Sequence, residues 1–534
     1  MNAPSDTIPT ELAELEKRYA ELYTVATIAG LAEEKAMEHV GVLIDYSSVL
    51  GKEEGLAKAF QWADELGTRP LSDPHAVLLE YFRANAWAGL RRLKHSVQGA
   101  ASNWEQPELQ KELLYFRRAI RHKGFESLEP IRKSQIHTNV GNSLSHIGRF
   151  VEALRHWETA LRYTPGFGMA VGNLGRGLAQ YARYLYDAGH QEVFLVRAHT
   201  LLKQALTDES TLFASEEYAE MAPHFESAAA EIENVLDVEA AGKSIQLGGL
   251  KLGRTQSERG YRNWVLHERL FLNPLNDLGP HAVAARDNLS LPDYVLPIGE
   301  PPTFTGFFNQ MTQEYVSARW LLYESVRATR PHFSDRHVLL YNTLDYPSYS
   351  LAVEQAKAAF RAAYSIFDKI AFFLNDYAKL QVHSKSVYYK TLWYLNQDFK
   401  AKKVRSEFVT LANSPLRGLF WLSKDFFDPD FQESSEPDAE DLYTIRNRLE
   451  HSYLKIHEIL LPGPGEDLFK DRLAYSVSRD SFFAKTHLVM RRARAALIYL
   501  SLGMHREERS RAAQKPARPL ASHRLGSWSD SRKL

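Results

Sequence analysis

The sequence predicts an all-α protein in which an N-terminal solenoid of helical repeats is followed by an irregular connector and a C-terminal helical bundle. Three observations carry this. From about Thr10 to about Val235 apolar residues recur at helical spacing between short polar turns, and no stretch alternates as a strand would. Pro274, Pro280, Pro292, Pro297, Pro301 and Pro302 then rule out a long continuous helix. From Phe304 to about Leu502 the helices return, longer and with the wide apolar stripes of a bundle. The expected division is 1–235, 236–303 and 304–503. A polar, basic, Pro-containing tail over 504–534 is expected to be disordered.

In the N-terminal region a single stretch is sharper than the rest: HTNVGNSLSHIGRFVEALRHWETALRYTP, His137 to Pro165. Val140 and Gly141 allow a first helix to be packed closely. Gly148 and Phe150 mark a turn, Ala153, Trp157, Ala160 and Leu161 form the stripe of a second helix, and Pro165 ends it. Small residues where two helices cross, with a large aromatic in the groove, are what a stacked helical hairpin requires. This stretch resembles a tetratricopeptide (TPR) repeat. A weaker copy follows with Leu174, Gly175, Ala198, Leu202 and Ala205, and degenerate candidates precede it at GLAKAFQWADEL and LLYFRRAI. One repeat is not stable alone, so the neighbours are expected to be repeats as well, making a TPR-like region. A non-repetitive helical domain is the alternative.

The connector contains the Gly-rich SIQLGGLKLG and a segment with Trp264, Leu270, Phe271, Leu272 and Leu275, too apolar for a free linker. It is expected to pack on both neighbours, with NPLND as a capped turn.

Composition limits the function classes. The chain has 534 residues and a formal net charge of −1, so any contact with a polyanion must come from a local patch. It has no cysteine, which excludes disulfides, thiolate metal sites and a cysteine nucleophile, and fits a reducing, cytoplasmic setting. The first residues have neither the basic nor the apolar region of a signal peptide, and no apolar run approaches the roughly 20 residues that span a bilayer.

The segment DLYTIRNRLEHSYLKIHEIL, starting at Asp441, reads as one amphipathic helix. Leu442, Ile445, Leu449, Ile456, Ile459 and Leu460 fall in one arc, with Tyr453 inside it. Asn447, His451, Leu454 and Glu458 fall opposite, a second stripe that would suit a contact with another protein surface. Arg446, Asn447 and His451 spell R-N-x-x-x-H. Here the sequence resembles the HEPN superfamily (higher eukaryotes and prokaryotes nucleotide-binding), helical bundles whose late helix carries Arg, a polar residue, and a His four to six residues after the Arg. The resemblance covers roughly residues 304–502. It implies a metal-independent ribonuclease with no cofactor, working as a homodimer in which two motifs face one cleft.

The chemistry can be argued from the residues. RNA carries its own nucleophile, the 2′-OH. Cleavage needs proton transfer at that hydroxyl and at the leaving 5′-oxygen, and stabilisation of the phosphorane. Histidine suits the proton transfer, and arginine presents a charged fork to phosphate oxygens. Asn447 lies one turn before His451 and could bond a phosphate or hold the imidazole. There is no H-E-x-x-H and no Walker-type loop. The plain alternative is a surface histidine with an Arg446–Glu450 helix pair. His457 reads as a packing or capping residue.

Arg446, His451 and Tyr453 also fit the R-x4-H-x-Y form of HEPN toxins paired with minimal nucleotidyltransferase antitoxins. There the Tyr is adenylylated; helix phase instead turns Tyr453 to the core. Arg491, Arg492 and Arg494 could bind phosphate, and Arg319 and Lys369 could support the site, each with a solvated helix charge as the alternative. Tyr388, Tyr389, Trp393 and Tyr394 read as core aromatics first and a base-stacking platform second. The expected partners are RNA, a second copy of the chain and a protein on the TPR-like region, with no membrane. The layout resembles toxin-type or antiviral-defence effectors. A non-catalytic interaction or nucleotide-binding module is the other reading.

Overall fold

The computed structural model describes residues 8–95, 103–207, 216–297, 299–398, 400–401, 403–427, 437–458, 473–514 and 525–533. The described chain is helical nearly throughout. Helices α1 (Ile8–Thr24), α2 (Glu33–Leu50), α3 (Glu53–Gly67) and α4 (Asp73–Lys94) enclose a first apolar cluster around Val40, Leu43, Leu56 and Trp62. Helix α2 ends at Gly51, whose φ of 69° closes the helix with a bond to Ser47 O.

Next come α5 (Pro107–Arg121), α6 (Pro130–His146), α7 (Phe150–Tyr163), α8 (Gly168–Tyr184) and α9 (Ala188–Ala205). These stack as helical hairpins, and Trp157 shows why. A Cβ on Gly141 of α6 would lie 2.5 Å from Trp157 Nε1, and one on Gly177 of α8 would lie 2.2 Å from the far edge of the same ring. The indole is thus clasped between two helices that have no side chain at the point of contact, and its N–H donates to Asn142 Oδ1 at 3.0 Å. Gly175 stands in the same relation to Leu202 of α9. The degenerate candidates GLAKAFQWADEL and LLYFRRAI fall on α3 and α5. Helix α10 (Glu216–Glu233) closes this region.

The segment 236–303 carries two further helices, α11 (Val238–Ser244) and α12 (Gln256–His267), then short 3-10 turns at Pro274–Asp277 and Ala282–Ala284. NPLND is a capped turn, with Asn273 Oδ1 accepting from Leu275 N. It is also a socket. Arg494 donates to Asp277 Oδ1 at 2.6 Å and to the carbonyls of Phe271 and Asn273. Arg319 similarly reaches Asp287 and Leu270 O. The connector is therefore strapped to the bundle by two buried guanidinium groups, each with all three nitrogens hydrogen-bonded.

The bundle comprises α13 (Thr303–Arg327), α14 (Leu351–Tyr377), α15 (Ser406–Val409), α16 (Ser414–Phe427), α17 (Pro437–His451) and α18 (Arg479–Ala513). Strands β1 (Tyr453–His457) and β2 (Ala474–Ser478) pair in parallel, with Tyr453 opposite Ala474 and Ile456 opposite Val477. Tyr389, Trp393 and Tyr394 are buried in the core, while Tyr388 is exposed.

Helix α18 continues nine residues past Met504 into the segment expected to be a disordered tail. Its polar side chains are used for packing: His505 stacks on Tyr186 at 3.8 Å, Arg511 lies over Tyr377, and Arg506 donates to Ala412 O. Residues 525–533 are exposed, and 515–524 lie outside the described residues. Among the described residues no helix is long and apolar enough to cross a membrane.

A second apolar cluster runs without interruption from Val77 to Met504, so the hairpins, the connector and the bundle share one core. At the junction the α6–α7 turn meets α16 main chain to main chain: a Cβ on Gly148 would lie 2.1 Å from Ser414 O, and one on Gly418 would lie 2.5 Å from Gly148 O. Beside this contact Asp425 of α16 accepts from Arg149 at 2.6 Å and Arg117 at 2.9 Å, with Arg492 at 3.6 Å.

Candidate functional site

Helix α17 forms because Leu442, Ile445 and Leu449 recur on one side and are buried there. It ends at His451. The segment expected to continue it as helix departs instead into β1, where Leu454, Lys455, Ile456 and His457 are all buried. The spacing of Leu449 and Ile456 suits a helix, but Leu454 and Ile456 also suit a strand, and β2 decides between them. The exposed stripe drawn through Leu454 and Glu458 therefore does not exist. Leu454 is in the core, and Glu458 pairs with Arg479 at 2.8 Å. Ile459 and Leu460 lie outside the described residues.

The other side of β1 is covered by the loop between α13 and α14. Lys455 pairs with Asp345 at 2.6 Å, His457 Nδ1 bonds Asp345 O at 2.9 Å, and Ser348 N donates to Ile456 O. His457 is thus a packing residue. Tyr453, expected to turn to the core, is instead 40% exposed at the start of the strand, because leaving the helix at Ser452 resets the direction of every side chain after it.

Arg446 is half-buried and donates to Asn447 Oδ1 at 3.2 Å. It faces α14, where Arg361 clamps the end of α17 by donating to Leu449 O at 2.9 Å. Asp368 of α14 is held above the usual carboxylate range by burial, against the opposing pull of the Tyr389 N–H and of Arg446. Burial likewise raises the Tyr364 hydroxyl, again opposed by Arg446. Thus the Arg446 charge acts against burial at two neighbouring groups of α14. The His451 ring is exposed and makes no hydrogen bond or ion pair with the described residues. The structure brings Arg446 to Asn447; His451 bonds neither.

The supporting residues go elsewhere. No ion pair joins Arg446 to Glu450, which is exposed. Arg491 pairs with Glu268 at 2.6 Å, and Arg492 lies buried over Phe426 beside Asp425. Arg494 and Arg319 strap the connector, and Lys369 pairs with Glu314. The acid Asp368 carries no local sequence signal, since nothing in α14 marks it apart from other charged helix positions.

The long helices from Thr303 to Ala513 make this part of the molecule a helical bundle. Residues 296–507 match the family model described as LA2681-like HEPN, and this stretch of the chain is a HEPN domain. No curated protein and no solved structure matches the chain.

Proposed function

We propose that the HEPN domain is a metal-independent endoribonuclease cleaving RNA by attack of its own 2′-OH. Arg446 neutralises phosphate charge, His451 moves protons, and Asn447 steadies the Arg446 guanidinium. The observation that supports this reading is that one helix carries both a half-buried, Asn-held Arg446 and an exposed His451 ring with no bond to the described residues. Five residues turn a helix through about 140° beyond a full circle, so one copy presents the two groups on different sides. Two copies in a homodimer, with α17 beside α17, would complete the set. The N-terminal hairpins would then receive a regulating protein, as a toxin or defence effector requires.

The test is incubation of the purified protein with total RNA in EDTA. Cleavage leaving 2′,3′-cyclic phosphate ends is expected, reduced about 10²–10⁴-fold in His451→Ala and in Arg446→Ala. Activity surviving in either variant, or absent from the wild type, sinks the reading.

A second reading, a binding module without catalysis, is favoured by one observation. Val338, Leu339, Leu340, Tyr341, Leu344 and Tyr346 are exposed together in the loop that covers β1.

A further inference from the structure

Helix α7 carries one cation, Arg155, that is unbonded among the described residues. Its other charged groups are used: Glu152 accepts from Arg149 and Tyr499, and Glu158 holds Arg269 through two bonds of 2.7 and 3.0 Å. The guanidinium of Arg155, one turn from each, makes no hydrogen bond or ion pair with the described residues, and Arg155 is only partly exposed.

Its surroundings are fixed by the neighbouring contacts. Tyr499 of α18 sits at Val151 and Glu152, and two turns earlier on α18 Arg491 pairs with Glu268. Glu268 is next in the chain to Arg269, which Glu158 holds. The space at Arg155 is therefore bounded by α7, the 268–277 turn and α18. The charges of Arg269, Arg491 and Arg494 all bear on the Arg155 guanidinium there. Three carboxylates answer them, those of Glu158, Glu268 and Asp277, and each is already bonded to an arginine other than Arg155. Arg491 Nε is buried with no acceptor. Burial first, then the charges of Arg491 and Arg494, bring the Arg155 guanidinium down to about 10. The Arg155 charge and the buried Arg491 Nε–H have no acceptor among the described residues, and an unanswered buried N–H is costly.

We propose that this junction binds a small phosphate-bearing anion, gripped by Arg155 and Arg491. Guanidinium forks match phosphate oxygens in shape and charge. The Arg491 side chain is 40% exposed, so solvent reaches its side of the junction. A polynucleotide fits less well, because Glu158 and Glu268 would face its next phosphates. The site joins the helical hairpins to the HEPN domain and is separate from Arg446 and His451, so it stands whether or not RNA is cleaved.

The test is titration of inorganic pyrophosphate into the full chain in low-salt buffer free of phosphate and sulfate, read by thermal shift and calorimetry, with sodium chloride of equal ionic strength as the control. A rise in Tm that grows with pyrophosphate is expected. Arg155→Ala should weaken binding roughly tenfold or more, while Arg446→Ala and His451→Ala should bind as the wild type does. Without pyrophosphate, Arg155→Ala should melt no lower than the wild type, because it relieves crowding of like charges; a merely structural cation would lower Tm on removal. No shift at millimolar pyrophosphate, an undiminished shift in Arg155→Ala, or a shift lost in Arg446→Ala would each overturn the proposal. So would competition by a short RNA with loss of the effect of Arg155→Ala.

Discussion

Asp425 has no exposed surface, yet it is ionised. Burial alone would raise its carboxyl, but Arg117 from α5, Arg149 from the α6–α7 turn and Arg492 from α18 outweigh this and hold it well below the usual range. Asp425→Asn keeps the shape and removes the charge that three cations share. It should cost about 3–5 kcal/mol, read as a fall in the denaturant midpoint. The histidines behave oppositely. His137 and His156 share one hydrogen between their Nδ1 atoms at 3.1 Å, which requires one of those nitrogens to be a bare acceptor and its ring neutral. Burial, then Arg162, pushes His137 down to about 4, and burial also pushes His156 well down. A depressed histidine stabilises the fold above its unfolded pKa and loses that contribution as pH falls towards its folded one. Tm should therefore drop between pH 6.5 and 4, by an amount corresponding to about 3 kcal/mol for His137 alone, and His137→Asn should flatten the profile.

The element scale shows what one sequence can and cannot announce. Trp157, Gly141 and Gly175 were legible as a packed hairpin because a large residue opposite a missing side chain is a local pattern. The Leu442, Ile445, Leu449 stripe was legible because apolar residues recur there at helical spacing. The end of α17 was not, because residues 453–457 fit both periods and their partner strand begins at Ala474. Leu454→Asp should accordingly cost about 3 kcal/mol or more, as a buried charge at the sheet, whereas Tyr453→Ala, at a residue 40% exposed, should lower Tm far less. Gly418→Ala is a sharper test. In an open helix it would stabilise by about 1 kcal/mol; against Gly148 O it should destabilise, with the sign read from thermal unfolding.

For the whole molecule, the irregular stretch around Pro274 to Pro302 was visible in composition but the shared core was not. Arg149 and Asp425 are 276 residues apart, and no periodicity or proline marks such a contact. The continuous cluster from Val77 to Met504 predicts one cooperative transition for this region by calorimetry. It also predicts that residues 296–507 expressed alone do not fold, because they lose Asp277 from Arg494 and both Arg117 and Arg149 from Asp425; two separate transitions, or a well-folded fragment, would contradict this.

The Gly148–Gly418 contact has a mechanical consequence. Two backbones touch there with no side chain to yield between them, and densely filled interiors pass strain on. A displacement of the hairpin turn by even a few tenths of an ångström must push the first turn of α16 by a similar distance, so the two halves behave as a lever without a spring.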